Sequence, residues 1–382
     1  EIVFDLPNDD ERDAVSTLEG ALLGGYKYAA KKSGEKGKLT SITVLSNHKV
    51  TKQSIERSQI LSHSVNRVRD LVNTPPNLLY PQSFAAIVAD EAASQDVSVT
   101  VLDEKALKAG KYGGILAVGQ GSEPQDAAIV HLTYKPKQSK KNIAVIGKGI
   151  CFDTGGHNLK PARYMHGMHE DMNGSAVSLG ILLAATVLKL PVQIDCWLAI
   201  AQNHIGPKAY KQNDVVKSLN GTSIEIIHTD AEGRMVLADT LTLASRLKPD
   251  MMMDFATLTG SMATALGDRY SGVISNRAEL SCLAVGAGSE SGERITAFPF
   301  DEDYEEDLES GIADIKQCTL EGGADHIHAA RFLNRFIENN VPWLHTDLSS
   351  SNRKGGLGAA LSEVNGFGVG FGIQVLKKVL QK

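Results

Sequence analysis

Cysteine is sparse in this chain of 382 residues, and the four present, Cys151, Cys196, Cys282 and Cys318, form no CxxC pair. That scatter argues against a zinc ribbon or a disulfide framework and suits a reducing, cytoplasmic home. Sustained basic runs are missing as well. With 39 Lys and Arg against 45 Asp and Glu the net charge is −6, so the chain has no electrostatic footprint for nucleic acid, and acidic polymers are poor partners. No apolar stretch reaches the roughly 18 residues of a membrane span, so no membrane association is expected. Residues 1–20 carry acids where a signal peptide needs a basic start, and Glu1 in place of Met points to a processed or trimmed N-terminus. Internal repeats and low-complexity tracts are lacking too, and 42% apolar against 22% charged residues is an ordinary globular balance. At this length one large or two unequal domains are expected.

What is present alternates. Residues 9–31 read as a helix, 39–46 as a strand, and 52–72 as a helix that runs into "NTPPNLLYP". Paired prolines stop a helix and stiffen the connector after it, which places a boundary near residues 73–81. The expected division is a short N-terminal piece, residues 1–72, and a catalytic unit, residues 73–382. In the second part, helical patterns over 83–94, 172–189, 232–247 and 325–340 alternate with apolar strands over 143–147, 193–201, 223–227, 251–256 and 343–348. Such alternation predicts an α/β layered fold around a largely buried sheet, with ligand sites where strands give way to helices.

Two charged clusters fall at such junctions. "HTDAEGR" (228–234) lies between the apolar run "SIEII" and a helix, while "GKGICFDTGG" (147–156) follows the strand at 143, leaving Lys148 and Asp153 in a glycine-rich loop. "MHEDMNGSAV" then sets Asp171 before a long apolar helix. Taken singly, each has a plain explanation: Thr229 with Glu232 makes a capping box, and Asp171 a helix cap. Taken together, Asp153, Asp171, Asp230 and Glu232 are four acids at the ends of buried strands, and buried carboxylates need cations. Lys148, Lys160 and Arg234 are too few to balance them and still serve catalysis. Two divalent ions about 3.5–4 Å apart would do so, an arrangement suited to hydrolysis. A dinucleotide loop is the rival reading of "GKGICFDTGG", but its third glycine is replaced by Phe152, and no phosphate-loop pattern occurs there.

The motifs "GKGICFDTGG", "KP" at 160, "EDMNGSA" and above all "TDAEGR" resemble the leucyl aminopeptidase, or cytosol aminopeptidase, family of dimetal exopeptidases. The likeness runs from about residue 62 to the C-terminus and includes "RDLVNTPPNLLYP", "DFATLTGSMATALG", "SGIADIKQC" and "WLHTDL". It implies a three-layer catalytic domain with a central mixed sheet flanked by helices, preceded by a short remnant of an N-terminal α/β domain. Carried over by motif, Lys148, Asp153, Asp171 and Glu232 would hold a tightly bound metal. Asp153, Asp230 and Glu232 would hold a more exchangeable one, and the ions would be Zn²⁺ or Mn²⁺. Lys148 would ligate as the free amine, which requires the dication to pull down its pKa. A metal-bridging hydroxide would attack the carbonyl of the first residue, whose free amine binds a metal. Lys160 would stabilise the oxyanion, and Arg234 would hold a bicarbonate ion acting as general base. Thr257, Leu258 and Gly260 would contact substrate, and Met168 would floor the pocket for an apolar, Leu- or Met-like, first side chain, although a lone Met also suits simple packing. Peptides with a free N-terminus and a homo-hexamer complete what the resemblance implies.

There are departures. His157, Asn158 and His169 stand where the family has other residues, and His157, His166 and His169 read as surface or hydrogen-bonded histidines. "DLSSSN" replaces a smaller, apolar run, leaving the outer pocket wall open to question. The N-terminal domain is also short: it is either trimmed or naturally reduced. Two other functions remain open at this stage, a silent scaffold on the same fold and a dimetal hydrolase of non-peptide amides.

Overall fold

The computed structural model describes residues 1–5, 7, 10–28 and 40–381. Along the chain, β1 (Ile2–Phe4), α1 (Glu11–Gly24), β2 (Ile42–Val44) and the long α2 (Lys52–Val72) come first. Next are α3 (Pro81–Ala93), β3 (Ser98–Leu102), α4 (Glu104–Gly110), α5 (Gly113–Gly119) and β4 (Ala128–Tyr134). The middle of the chain carries β5 (Asn142–Asp153), α6 (Ala162–Met165), a 3-10 turn at Met168–Met172, α7 (Asn173–Val187) and β6 (Gln193–Asn203). Then follow β7 (Val215–Lys217), β8 (Ser223–Glu225), α8 (Glu232–Arg246), β9 (Met251–Ala256), α9 (Gly260–Leu266) and β10 (Ser271–Ser275). The chain finishes with α10 (Ala278–Ser291), β11 (Ile295–Ala297), a 3-10 segment at Glu302–Leu308, β12 (Ile315–Lys316), α11 (Asp325–Asn334), β13 (Trp343–Asp347) and α12 (Val369–Gln381).

Eight strands form one sheet in the order β11-β10-β13-β9-β5-β6-β4-β3. Its centre, β13-β9-β5-β6, is parallel, and antiparallel pairs adjoin it at β10–β13, β4–β6 and β3–β4. The central strands are buried on both faces, which is why β5, β6 and β9 read as mostly apolar runs rather than alternating ones. One core packs α2, α3, α7, α10 and α12 on one face, and a second packs α5, α8 and α11 on the other. The sheet is thus the middle of three layers, the mixed α/β architecture expected. Helix α7 is apolar on every side because it is buried on nearly every side.

Several expected elements shift. Helix α1 covers the middle of the expected 9–31 and is capped by Gly25; positions 9, 29–31 and 39 lie outside the described residues. The strand expected at 223–227 is real but short, and it pairs with β7 and β12 in a separate three-stranded sheet. Helix α11 ends at Asn334, with Arg335 at its cap, and the left-handed backbone of Asn339 and Asn340 (φ 60° and 52°) rules out a helix running to 340. The C-terminal half of α2 enters the main core through Val65, Val68, Leu71 and Val72.

Candidate metal centre

Lys148 and Asp153 lie on β5 itself, not in a loop after it: the strand continues to Asp153. Five positions apart, they would face opposite sides of a regular strand. Between Ile150 and Asp153, however, three steps on β5 match two on β6, from Ala201 to Asn203. That extra residue is a bulge, and it turns both side chains to the same site. Gly174 lets α7 approach β9 and β5, since a Cβ there would sit 2.0 Å from the Phe255 carbonyl oxygen and 3.0 Å from the Lys148 amide nitrogen. Ser175 and Ser178 then donate to the carbonyls of Gly147 (2.8 Å) and Ile146 (3.0 Å), fixing the helix start and the 3-10 turn that carries Asp171.

Neither of the simple capping explanations holds. Asp171 lies within the 3-10 turn, and α7 begins after Met172 without a side-chain cap. Ala231, not Thr229, precedes α8 at the cap position. The Thr229 hydroxyl instead donates to the Gly155 carbonyl (2.6 Å) and accepts from the Asn158 amide (2.8 Å), while Asn203 and Tyr210 donate to the Thr229 carbonyl. Thr229 therefore joins the two charged segments, at a turn that Gly155 and Gly156 enter with φ of +85° and +65°.

The carboxylates of Asp153, Asp171 and Glu232 offer oxygens that all lie within 4.8 Å of one another, and all three residues are buried. Lys148 Nζ sits among them, 2.9 Å from Asp171, 3.0 Å from Glu232 and 2.8 Å from the Thr257 carbonyl. Lys160 Nζ bridges Asp153 (2.9 Å) and Asp230 (2.5 Å). Asp230 thus reaches the group through a lysine and is not one of the three. No histidine joins the group among the described residues: His157 and His166 are exposed, and His169, partly buried, has its pKa lowered by burial and by His166.

Two lysines cannot neutralise four carboxylates here. Burial, Glu232 and Asp153 push Asp171 up to about 8 against the pull of Lys148, and burial with Glu232 and Asp153 pushes Asp230 up to about 7. Glu232 is raised too, by burial and then by Asp153. Burial works to deprotonate Lys148, but Asp171, Glu232 and Asp153 outweigh it, and its pKa rises. Glu232 Oε2 is buried with no hydrogen-bond partner. A crowded set of oxygens short of positive charge, one of them unsatisfied, fits hard divalent cations.

The remaining expected residues line the same cleft, including Met168, Leu258 and Gly260. Gly260 is exposed there, whereas the Thr257 carbonyl is taken by Lys148 and the Leu258 amide donates to Asp347 at 3.0 Å. Thr257 Oγ1 donates to Asp171 at 2.6 Å. Arg234 is buried, with Nη2 2.8 Å from both Asp325 oxygens and Nη1 donating to the Gln317 carbonyl at 3.1 Å. Sequence reasoning passed over Asn203, Asp325 and Asp347. Asn203 Nδ2 donates to Asp153 at 2.8 Å, and Asp347 orients the loop at 257–259 through the Leu258 amide and the Thr259 hydroxyl (2.6 Å). An acid that ends a buried strand, as Asp347 does, was the available signal.

Comparison with known proteins agrees with this geometry. A model of the cytosol aminopeptidase family, catalytic domain, matches residues 66–376. The chain is 40% identical to a probable cytosol aminopeptidase of Streptomyces avermitilis, covering 96% of this chain and 71% of that one. It is 39% identical to another of Corynebacterium glutamicum, covering 95% and 73%. Among solved structures it is similar to the bottromycin maturation enzyme BotP in complex with Mn, with a TM-score of 0.90 and 33% identity over 97% of this chain and 80% of that one. Sheet order, acid-rich junctions and matched span agree, and the chain belongs to the cytosol aminopeptidase family.

Proposed function

We propose that this aminopeptidase removes an apolar, Leu- or Met-like, first residue from peptides with a free N-terminus, using two divalent ions held by Lys148, Asp153, Asp171, Asp230 and Glu232. The observation that carries the reading is the buried trio Asp153, Asp171 and Glu232 with its unsatisfied Glu232 oxygen. When bound, the ions would supply Lewis acidity and lower the pKa of a water molecule. Zinc and manganese both suit an oxygen-rich shell, and the manganese named with the similar BotP structure favours manganese.

The chain's own groups do the positioning. Lys160, whose side chain is 15% exposed, carries its ammonium to the cleft, where it would stabilise negative charge developing on the carbonyl oxygen. Met168 offers an apolar wall, and the exposed backbone of Gly260 a polar one, for the first residue. The bicarbonate that the resemblance places on Arg234 meets a seat already taken, since Asp325 holds Nη2 and the Gln317 carbonyl holds Nη1. A cytoplasmic location, a homo-hexamer and a division into residues 1–72 and 73–382 belong to the same proposal. No helix among the described residues is long and apolar enough to cross a membrane.

Leucine p-nitroanilide and its N-acetylated counterpart test the reading, each with and without chelator. Cleavage of the free-amine substrate alone, abolished by chelator and restored by Mn²⁺ or Zn²⁺, is expected. Equal cleavage of both would point to a general amide hydrolase, and no turnover with either metal to a silent scaffold.

A further inference from the structure

Arg234 borders the cleft but is almost closed to it. Its side chain is 2% exposed, Nη2 lies 2.8 Å from both oxygens of Asp325, and Nη1 donates to the Gln317 carbonyl at 3.1 Å. Nε is buried and without a partner. Asp325, at 21% exposure, edges the same cleft as Lys160, Asp230 and Met168. It is also held from behind: Ala324 enters α11 in the left-handed region (φ 52°), and the His326 amide donates to Ser261 Oγ at 2.8 Å, tying the helix start to α9. For bicarbonate to take this seat, Asp325 would have to give up its charge-assisted pair with the guanidinium. The two anions are chemically alike, since each presents a planar O–C–O pair to a guanidinium and each accepts one proton.

We infer that Asp325 fills the anion seat on Arg234, so that hydrolysis by this chain needs no dissolved bicarbonate. The inference rests on the aminopeptidase reading, but the seat is also measurable without turnover. In a titration with ¹³C-labelled bicarbonate followed by NMR, the wild type shows no saturable binding. Asp325→Ala binds the ion, and adding Arg234→Ala to that variant abolishes the binding. In carbon-dioxide-free buffer with Mn²⁺, the wild-type rate on leucine p-nitroanilide is unchanged by added bicarbonate. The Asp325→Ala rate falls about 100-fold, and added bicarbonate restores much of it.

Binding of bicarbonate to the wild type, a severalfold rise in its rate with bicarbonate, or an Asp325→Ala variant that neither binds the ion nor depends on it would each overturn the inference. Should circular dichroism show Asp325→Ala unfolded, Asp325→Ser carries the same measurements, with a small polar residue suited to a helix start. If no variant and no wild-type preparation cleaves the substrate, the aminopeptidase reading fails, and the titration still decides the seat.

Discussion

A Cβ on Gly233 would lie 2.7 Å from Lys148 Cε and 2.8 Å from its Nζ. Lys148 is buried, with its amine held between Asp171 and Glu232, so Gly233→Ala must push that amine away from them. Metal affinity measured by calorimetric titration should fall at least ~10-fold, as it does when the groups supporting metal ligands are disturbed. Unchanged affinity would remove Lys148 from the ligand set. At this scale the sequence is legible where chemistry is out of place: an acid among glycines and apolar residues, as with Asp153 or Glu232, has to be explained. Asp325 is illegible for the opposite reason. An acid opening a helix is ordinary, favoured by the helix dipole, and only the fold reveals that a buried guanidinium from another element is its partner.

Elements were read well where their cause is local. The mostly apolar α7 and the apolar runs of β5, β6 and β9 announce burial on both sides. The bulge in β5 is set by pairing with β6, which no single-strand pattern contains, and so Lys148 and Asp153 looked like loop residues. Likewise β8 is a correct strand in an unforeseen sheet, because its partners β7 and β12 are only three and two residues long. The start of α12 carries a pH prediction. Glu293 is partly buried and accepts from the Gly368 amide (3.0 Å) and the Phe371 amide (2.5 Å), yet burial still pushes its pKa from 4.5 up to about 7. Its folded value is raised, so the stability linked to its proton is complete below pH 4.5 and is lost as pH climbs through 7. The loss is about 3 kcal/mol. Urea denaturation should show the wild type losing that much more stability between acid and neutral pH than Glu293→Gln, in which the group no longer titrates. Parallel pH profiles for the two proteins would contradict this.

Across the whole molecule, the carboxylate cluster is a local destabilisation that bound cations would relieve. Ions that bind only the folded state stabilise it by about 3–4 kcal/mol at 100 to 1,000 times their dissociation constant. Chelated protein should therefore denature at lower urea than metal-loaded protein. Glu232→Gln, which removes one of the mutually repelling charges, should make the chelated form more stable than chelated wild type while abolishing the gain from metal. A larger loss of stability in chelated Glu232→Gln would mean that Glu232 serves the fold and not an ion. The three-layer plan was legible at this scale because alternation of helix and strand leaves few alternatives. The relation of the N-terminal piece to the rest was not, because the helix joining them reads the same whether it tethers or packs. Arg69 of α2, fully buried, donates to the Leu23 carbonyl at 2.8 Å on one side and to Ser362 Oγ and the Val364 carbonyl on the other. Tyr26 bonds Asp70 at 2.8 Å, and the next turn inserts Leu71 and Val72 among the residues beneath the sheet. One rod is thus wedged into both parts of the protein, and pulling it from either would expose the interior of the other, so the two ends of the chain melt together or not at all.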